Sequence, residues 1–242
     1  MVIRWVDVFL DRPMGALDAA VSFWAEVTGS EPAPQRDPGF VRLLTAAGDD
    51  WVEIQGVRSG DGGTHPDLWV DDPAEFTGRV LTAGASLVTD HGEWVTLRSP
   101  GGLPFCVARW RGQHVRPKPF TGPGGVTTRP HQICVDVAPA AFDAEVRFWE
   151  IATGWRLDPG ELAEFRRLQP EPPIPIRFLI QRLDDERPTS AHLDVTCSDI
   201  PAGRAWHESL GATFVGEWPY WTTLRDPAGA TYCLTKGDPA SD

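Results

Sequence analysis

Two stretches decide the fold, Trp94 to Val107, WVTLRSPGGLPFCV, and Trp221 to Leu234, WTTLRDPAGATYCL. Each holds two apolar, β-rich runs around a Pro-Gly turn, Pro100 to Gly102 in the first and Pro227 to Gly229 in the second, which predicts a hairpin. Upstream, HPDLWVDD (His65 to Asp72) answers HLDVTCSD (His192 to Asp199), and GASLV (Gly84 to Val88) answers GATFV (Gly211 to Val215). The offset is 127 in all three pairs (192−65, 211−84, 221−94). Earlier still, LDAAVSFWAEVTG (Leu17 to Gly29) matches FDAEVRFWEIATG (Phe142 to Gly154) at an offset of 125 (148−23), so the second copy carries two extra loop residues. Self-similarity of this length marks a duplicated domain.

The 242 residues therefore divide into two domains, each of a size that buries its own core. The expected boundaries are 1–112, a linker at 113–130 rich in Gly, Pro and basic residues, 131–237, and a polar tail at 238–242. Within each copy the pattern runs strand, helix, strands, and then repeats. Val2 to Leu10 reads as a strand, the helix with Leu17, Val21 and Trp24 stops at Gly29, and Phe40 to Leu44 with Trp51 to Val57 form a hairpin. The stretch Glu31 to Pro38 is expected to lead into a further strand. His65 to Asp71 begins the second unit, followed by a helix capped by Asp72-Pro73 and three strands. His131 to Val137 and His192 to Cys197 open the third and fourth units. The fold class is α+β, four βαβββ modules.

A formal charge of −12 and the lack of any basic cluster interleaved with aromatics argue against nucleic acid as a partner. No apolar run long enough for a membrane span or a secretory signal is present, so a cytoplasmic protein with no membrane partner is expected. Four cysteines, two of them at equivalent positions, fit reduced thiols better than a disulfide framework. No phosphate-binding glycine loop, Cys-x-x-Cys pair or G-x-S-x-G elbow occurs, which leaves nucleotide and serine hydrolysis without support. His91, His114 and His207 are read as surface residues, and Trp24 and Trp149 as core.

Strand alternation picks out one polar face. Leu68 and Val70 should face the helix, which turns His65, Asp67 and Trp69 the other way; Leu193, Val195 and Cys197 likewise leave His192, Asp194 and Thr196 together. A His-x-Asp pair thus recurs on equivalent faces. It reads either as a buried hydrogen-bonded pair that orients the strand or as part of a site. Trp69, with Trp51, Trp94 and Trp221 behind it, is the candidate for stacking on a flat ligand.

The four βαβββ modules, the His-bearing strands and the W-x-x-L-x-[SD]-P-x-G-x-x-[FY]-C-[VL] hairpins resemble the vicinal oxygen chelate superfamily, in particular its glyoxalase-like and bleomycin-resistance-like branch. The resemblance implies two tandem domains with curved, cup-forming mixed sheets and a small-molecule ligand in the cup. Metal-dependent members place His or Gln on the first strand of each module and Glu on the last. The first-strand positions fall on Asp7, His65, Gln132 and His192. The last-strand positions fall on Glu53 or Gln55, Cys106, Leu179 or Gln181, and Cys233, so two expected glutamates are cysteines.

By that reading the cup residues are Asp67, Trp69, Cys106, Gln132, Gln181, His192, Asp194 and Cys233. Catalytic or metal-binding chemistry would fall to Asp7, Glu53 and His65, a set suited to Zn, Ni, Mn or Fe. Pairing of modules within each domain is assumed in this grouping. The expected function is binding of a small organic molecule without the usual metal triad and with no cofactor. The alternatives are a metal-dependent lyase or isomerase of the glyoxalase type and an antibiotic-sequestering resistance protein. Both a monomer and a homodimer fit the sequence.

Overall fold

A computed structural model of the chain describes residues 2–34, 39–160 and 162–240. Four modules follow one another. The first comprises β1 (Ile3–Pro13), α1 (Leu17–Thr28), β2 (Glu31–Pro32), β3 (Phe40–Leu44) and β4 (Val52–Val57). The second comprises β5 (Gly63–Val70), α2 (Pro73–Thr82), β6 (Ser86–Asp90), β7 (Trp94–Arg98) and β8 (Pro104–Arg109). After a short β9 (Phe120–Thr121), the third has β10 (Thr127–Val137), α3 (Phe142–Thr153), β11 (Arg156–Pro159), β12 (Phe165–Gln169) and β13 (Arg177–Arg182). The fourth has β14 (Ser190–Cys197), α4 (Ile200–Ser209), β15 (Thr213–Glu217), β16 (Trp221–Arg225) and β17 (Thr231–Lys236).

The strand orders are β2-β3-β4-β1-β5-β8-β7-β6 and β11-β12-β13-β10-β14-β17-β16-β15, the same order twice. Both sheets are mixed, with β5 parallel to β8 and β14 parallel to β17 between antiparallel hairpins. The predicted α+β class and its four modules are the observed architecture. Residues 35–38 of the stretch expected to lead into a strand, and 241–242 of the tail, lie outside the described residues.

Local chemistry sets the element ends. Gly29 and Gly154 take left-handed backbone, φ 63° and 65°, and stop α1, at the predicted residue, and α3. Asp72 accepts from the amides of Ala74 and Glu75, and Asp199 from that of Ala202, so both caps sit where the Asp-Pro and Asp-Ile-Pro sequences put them. Several expected strand ends move by a few residues, as where β1 runs on to Pro13 and β5 starts at Gly63. The strand read from His131 begins at Thr127, because Thr127 and Thr128 pair with Thr121 and Phe120 across the Gly122–Gly125 turn. The glycine-rich linker ends in a small hairpin.

Packing divides the chain into two compact units that interleave the repeats: Met1–Val8, His65–Val115 and Ile133–Ala191 form unit one; Phe9–Thr64, Arg116–Gln132 and His192–Asp242 form unit two. In unit one, α3 lies against β8 and β13. Trp149 meets Phe105 and Phe178 edge-on, with ring centroids 5.3 and 5.0 Å apart. In unit two, α1 lies against β17, where Trp24 meets Tyr232 at 5.1 Å. The helix of an odd module therefore covers a strand of the even module from the other repeat.

Each helix tryptophan needs a buried acceptor for its indole N–H, and the two units supply it differently. Trp24 donates to Asp226 on the β16–β17 turn at 3.1 Å. The equivalent turn residue in unit one is Ser99 (226−127), and the carboxylate has moved to the helix, where Trp149 donates to Glu145 at 2.9 Å. Glu145 also accepts from the Gly101 amide at 2.8 Å. Arg12 neutralises Asp226 at 2.6 Å, but its counterpart is Val137 (12+125), so Glu145 has no such cation. Burial accordingly pushes the Glu145 carboxyl up, against hydrogen bonds from Ser99, Gly101 and Trp149 that favour its charge.

A carboxyl raised in the fold stabilises it below the unfolded pKa, and that contribution fades as pH rises through the folded value. Glu145→Gln is expected to abolish this rise-dependent loss in unit one while costing about 1–2 kcal/mol, since an amide N–H₂ cannot accept from Gly101. Urea unfolding of both proteins at several pH values measures the slope directly.

The surface assignment of His207 is corrected. It is fully buried, on a helix face with Gly203 and Trp206, and its Nδ1 lies 2.9 Å from the Tyr232 hydroxyl. Gly203 makes room for that face, for a Cβ there would sit 2.5 Å from Cys197 Sγ. His91 and His114 are partly or largely exposed, and Trp24 and Trp149 are core.

Candidate functional site

The polar face read from alternation is present in both copies. On β5, Leu68 and Val70 are fully buried while His65, Asp67 and Trp69 point to the opposite side of the strand and keep a trace of solvent exposure. The parallel register pairs Asp67 with Cys106 on the neighbouring β8. His65, two residues before Asp67, then completes a cluster with both, its Nε2 lying 3.4 Å from Asp67 Oδ1. Across the β7–β8 hairpin, Thr96 Oγ1 is 3.6 Å from Cys106 Sγ.

Unit two repeats this arrangement. The β14–β17 register pairs Asp194 with Cys233, His192 Nε2 is 3.4 Å from Asp194 Oδ1, and Thr223 Oγ1 is 3.4 Å from Cys233 Sγ. In each cluster the donor atoms of His, Asp and Cys lie within 4.8 Å of one another. The threonines were not singled out from the sequence. Their signal is the shared Thr-Leu-Arg of the two hairpins, where Thr96 and Thr223 alternate with buried Leu97 and Leu224.

Next to the first cluster, the Trp69 indole donates to Asp7 Oδ2 at 2.6 Å, and the Arg111 guanidinium stands 5.1 Å from the Trp69 ring. Asp7 is therefore engaged with the residue expected to stack on a ligand. In unit two the counterpart of Asp7 is Gln132 (7+125), whose Nε2 donates to Asp194 Oδ2 at 2.5 Å. One carboxylate fewer faces this copy.

The remaining expected residues are distributed. Glu53 is buried on β4 opposite Arg42 and belongs to unit two, whereas Asp7 and His65 belong to unit one. Gln181 belongs to unit one, where its Oε1 accepts from Cys134 Sγ at 3.6 Å, while Gln132, His192 and Cys233 belong to unit two. Trp51 is buried, Trp94 is exposed and stacked on His91 at 4.5 Å, and Trp221 stacks on Trp218 at 5.5 Å. All four cysteines are buried, and none of them forms a disulfide.

Electrostatics separates the thiols from ordinary surface cysteines. Burial pushes the Cys106 thiol up, with the Asp67 charge adding to it and His65 opposing it. Cys197, which donates to the Asp199 carbonyl, is pushed up to about 11 by burial. A neutral, buried thiol is a poor nucleophile at neutral pH.

A family model described as a glyoxalase-like domain matches the sequence twice, over residues 7–108 and 132–235. The chain belongs to the glyoxalase-like domain family. This tandem glyoxalase-like protein has the vicinal oxygen chelate fold that its repeats resemble, and solved structures of that fold are similar to it. The Mn(II)-bound glyoxalase from Novosphingobium aromaticivorans shares 17% identity at a TM-score of 0.66, over 97% of this chain and 81% of that one. The 2,2',3-trihydroxybiphenyl 1,2-dioxygenase from Sphingomonas wittichii shares 15% at 0.66, over 98% and 91%. A catechol 2,3-dioxygenase shares 15% at 0.61, over 100% and 90%. No curated protein sequence matches this one. Among the described residues of the glyoxalase-like protein, no helix is long and apolar enough to cross a membrane.

The ion used by metal-dependent members of this fold can be tested against these residues. The last strands of modules two and four present Cys106 and Cys233 where a carboxylate would serve, so the donor set nearest His65 and His192 is imidazole, carboxylate and thiol. Hard, oxygen-preferring Mn or Fe is poorly matched by sulfur. The usual oxygen-rich set does not fit these two clusters.

Proposed function

We propose that the glyoxalase-like protein binds a small organic molecule against the polar face of β1, β5 and β8, with Asp7, His65, Asp67, Trp69 and Cys106 as its contacts. The observation that carries this reading is the burial of titratable side chains on the central strands of a sheet whose other side is apolar core. Asp67 Oδ1, inside that group, has no hydrogen-bond partner. Folded proteins rarely leave a buried carboxylate oxygen unsatisfied unless something else supplies the donor. A ligand hydroxyl or ammonium would do so, and the negative charge of the chain suits a neutral or cationic molecule. The second copy, with Gln132, His192, Asp194 and Cys233, offers a weaker version of the same face.

A second reading is metal-dependent lyase or isomerase chemistry at Asp7, Glu53 and His65. The similarity to a Mn(II)-bound glyoxalase favours it. Sequestration of a flat cationic antibiotic is the non-enzymatic form of the first reading.

Calorimetric titration with catechol, a hemithioacetal and bleomycin, each with and without chelator, separates these readings. Saturable binding that survives chelation supports the first. Trp69→Phe, which keeps the ring and removes the N–H bonded to Asp7, is expected to weaken such binding about tenfold, or about 1.4 kcal/mol. Binding or turnover that appears only with Mn or Fe and disappears in Glu53→Gln would replace the first reading with the second.

A further inference from the structure

The same His-Asp-Cys cluster recurs in both copies. Positions 65, 67 and 106 carry the same residues as 192, 194 and 233, as do Thr96 and Thr223 beside the cysteines, while several other neighbours have diverged: Pro66 against Leu193, Trp69 against Thr196, Phe105 against Tyr232, Asp7 against Gln132. Packing alone tolerates such exchanges, so the retained trio has its own chemistry. The Asp194 side chain is 4% exposed and that of Asp67 12%, and in both Oδ1 lacks a hydrogen bond while standing 3.4 Å from an imidazole nitrogen.

We infer that each cluster is a site for a thiophilic divalent cation such as Zn²⁺, held by His65 Nε2, Asp67 Oδ1 and Cys106 Sγ in one copy and by His192, Asp194 and Cys233 in the other. A tetrahedral zinc with bonds of about 2.0–2.3 Å sets ligand-to-ligand edges of roughly 3.3–3.7 Å. The observed His-to-Asp edge of 3.4 Å already has that length, and sulfur needs to move by no more than about an ångström to close the other two, given the 4.8 Å limit on all donor separations. Imidazole, carboxylate and thiolate are common zinc donors, and three protein ligands leave a fourth position open. On binding, the sulfur–metal bond forms and the thiol proton leaves to solvent. The unsatisfied Oδ1 gains its partner. Each site uses the first-strand histidine and the last-strand position of its module, but with a thiol where the oxygen-rich set that the fold implies has a carboxylate, and with Asp67 or Asp194 as the third donor.

The assignment goes beyond the small-molecule reading, which calorimetry in chelator tests separately. The chelated chain is titrated with Co²⁺, whose thiolate complexes show a sulfur-to-cobalt charge-transfer band and strong tetrahedral d–d absorption. Two equivalents are expected, one lost in Cys106→Ser, one in Cys233→Ser and both in the double variant, with Cys197→Ser retaining both. Fewer than two equivalents in the wild type, or charge-transfer bands that persist in the double variant, would overturn the assignment. Should a serine variant not fold, iodoacetamide labelling of the wild type decides. Zn²⁺ is expected to protect Cys106 and Cys233 and leave Cys197 unchanged; equal labelling rates with and without Zn²⁺ refute the sites.

Discussion

Asp226→Ala is expected to cost about 3–5 kcal/mol and to unfold unit two before unit one. Asp226 is buried on the β16–β17 turn, and its two oxygens hold four groups together. Oδ2 takes the Arg12 guanidinium at 2.6 Å and the Trp24 indole at 3.1 Å; Oδ1 takes the Ala228 and Ala230 amides at 3.0 and 3.1 Å, and the Asp226 amide itself closes on the Ala230 carbonyl. Alanine would leave Arg12, itself buried, with only its bonds to the Asp11 and Gly63 carbonyls, and would orphan the indole. An unpaired buried guanidinium is the dominant cost, because desolvating a charge is compensated here by a single carboxylate.

Two comparisons make the prediction specific. Asp226→Asn keeps an acceptor for the turn amides but gives up the charge, so an intermediate loss is expected. Ser99→Ala in unit one, at the equivalent turn position, should cost no more than about 1–2 kcal/mol, since Glu145 carries the acceptor role there. Hydrogen exchange of peptides from α1 and α3 reads the two units separately. A loss under 1 kcal/mol for Asp226→Ala would show that the network is not what fastens α1 to β17.

The second large effect is acid lability of unit two through His207. Burial among Phe23, Trp206 and Tyr232 pulls the imidazole down to about 4 from its ordinary 6.5. A folded pKa below the unfolded one means that the unfolded chain takes up the proton first. The stabilisation is therefore complete above about pH 6.5 and is lost as pH falls towards 4. At 1.36 kcal/mol for each pH unit of difference, the loss approaches about 3 kcal/mol. His207→Gln keeps a hydrogen-bonding partner for the Tyr232 hydroxyl and carries no titrating group, so its stability should be flat over that interval apart from other carboxylates. Unit one responds in the opposite sense through Glu145, whose raised carboxyl weakens it as pH rises. Protection of α4 should fall on acidification and that of α3 on alkalisation; parallel pH profiles would refute this division.

The interleaved packing explains why some residues were readable in sequence and others were not. The hairpins were legible because Pro-Gly turns and period-two alternation are local, and the duplication supplied a second reading of each. Alternation also placed His65 with Asp67 and His192 with Asp194 on one side of their strands, as found. The cysteines joined them through the parallel registers Asp67–Cys106 and Asp194–Cys233, which no local pattern encodes. His207 was misplaced because its burial is set by β17 against α4, a pairing outside the helix's own sequence.

By itself the sequence determined four βαβββ modules in two copies, the element ends at Gly29 and Asp72, and the polar side of β5 and β14. Those features depend on backbone preferences and side-chain periods within a dozen residues. The tertiary structure alone decided that α1 covers β17 and α3 covers β8 and β13, that Asp226 and Glu145 answer the same tryptophan from different elements, and that a thiol completes each His-Asp pair. An apolar face states that it must be covered but not by what; the choice among similar faces is made by shape, loop reach and the few buried charges that must find partners.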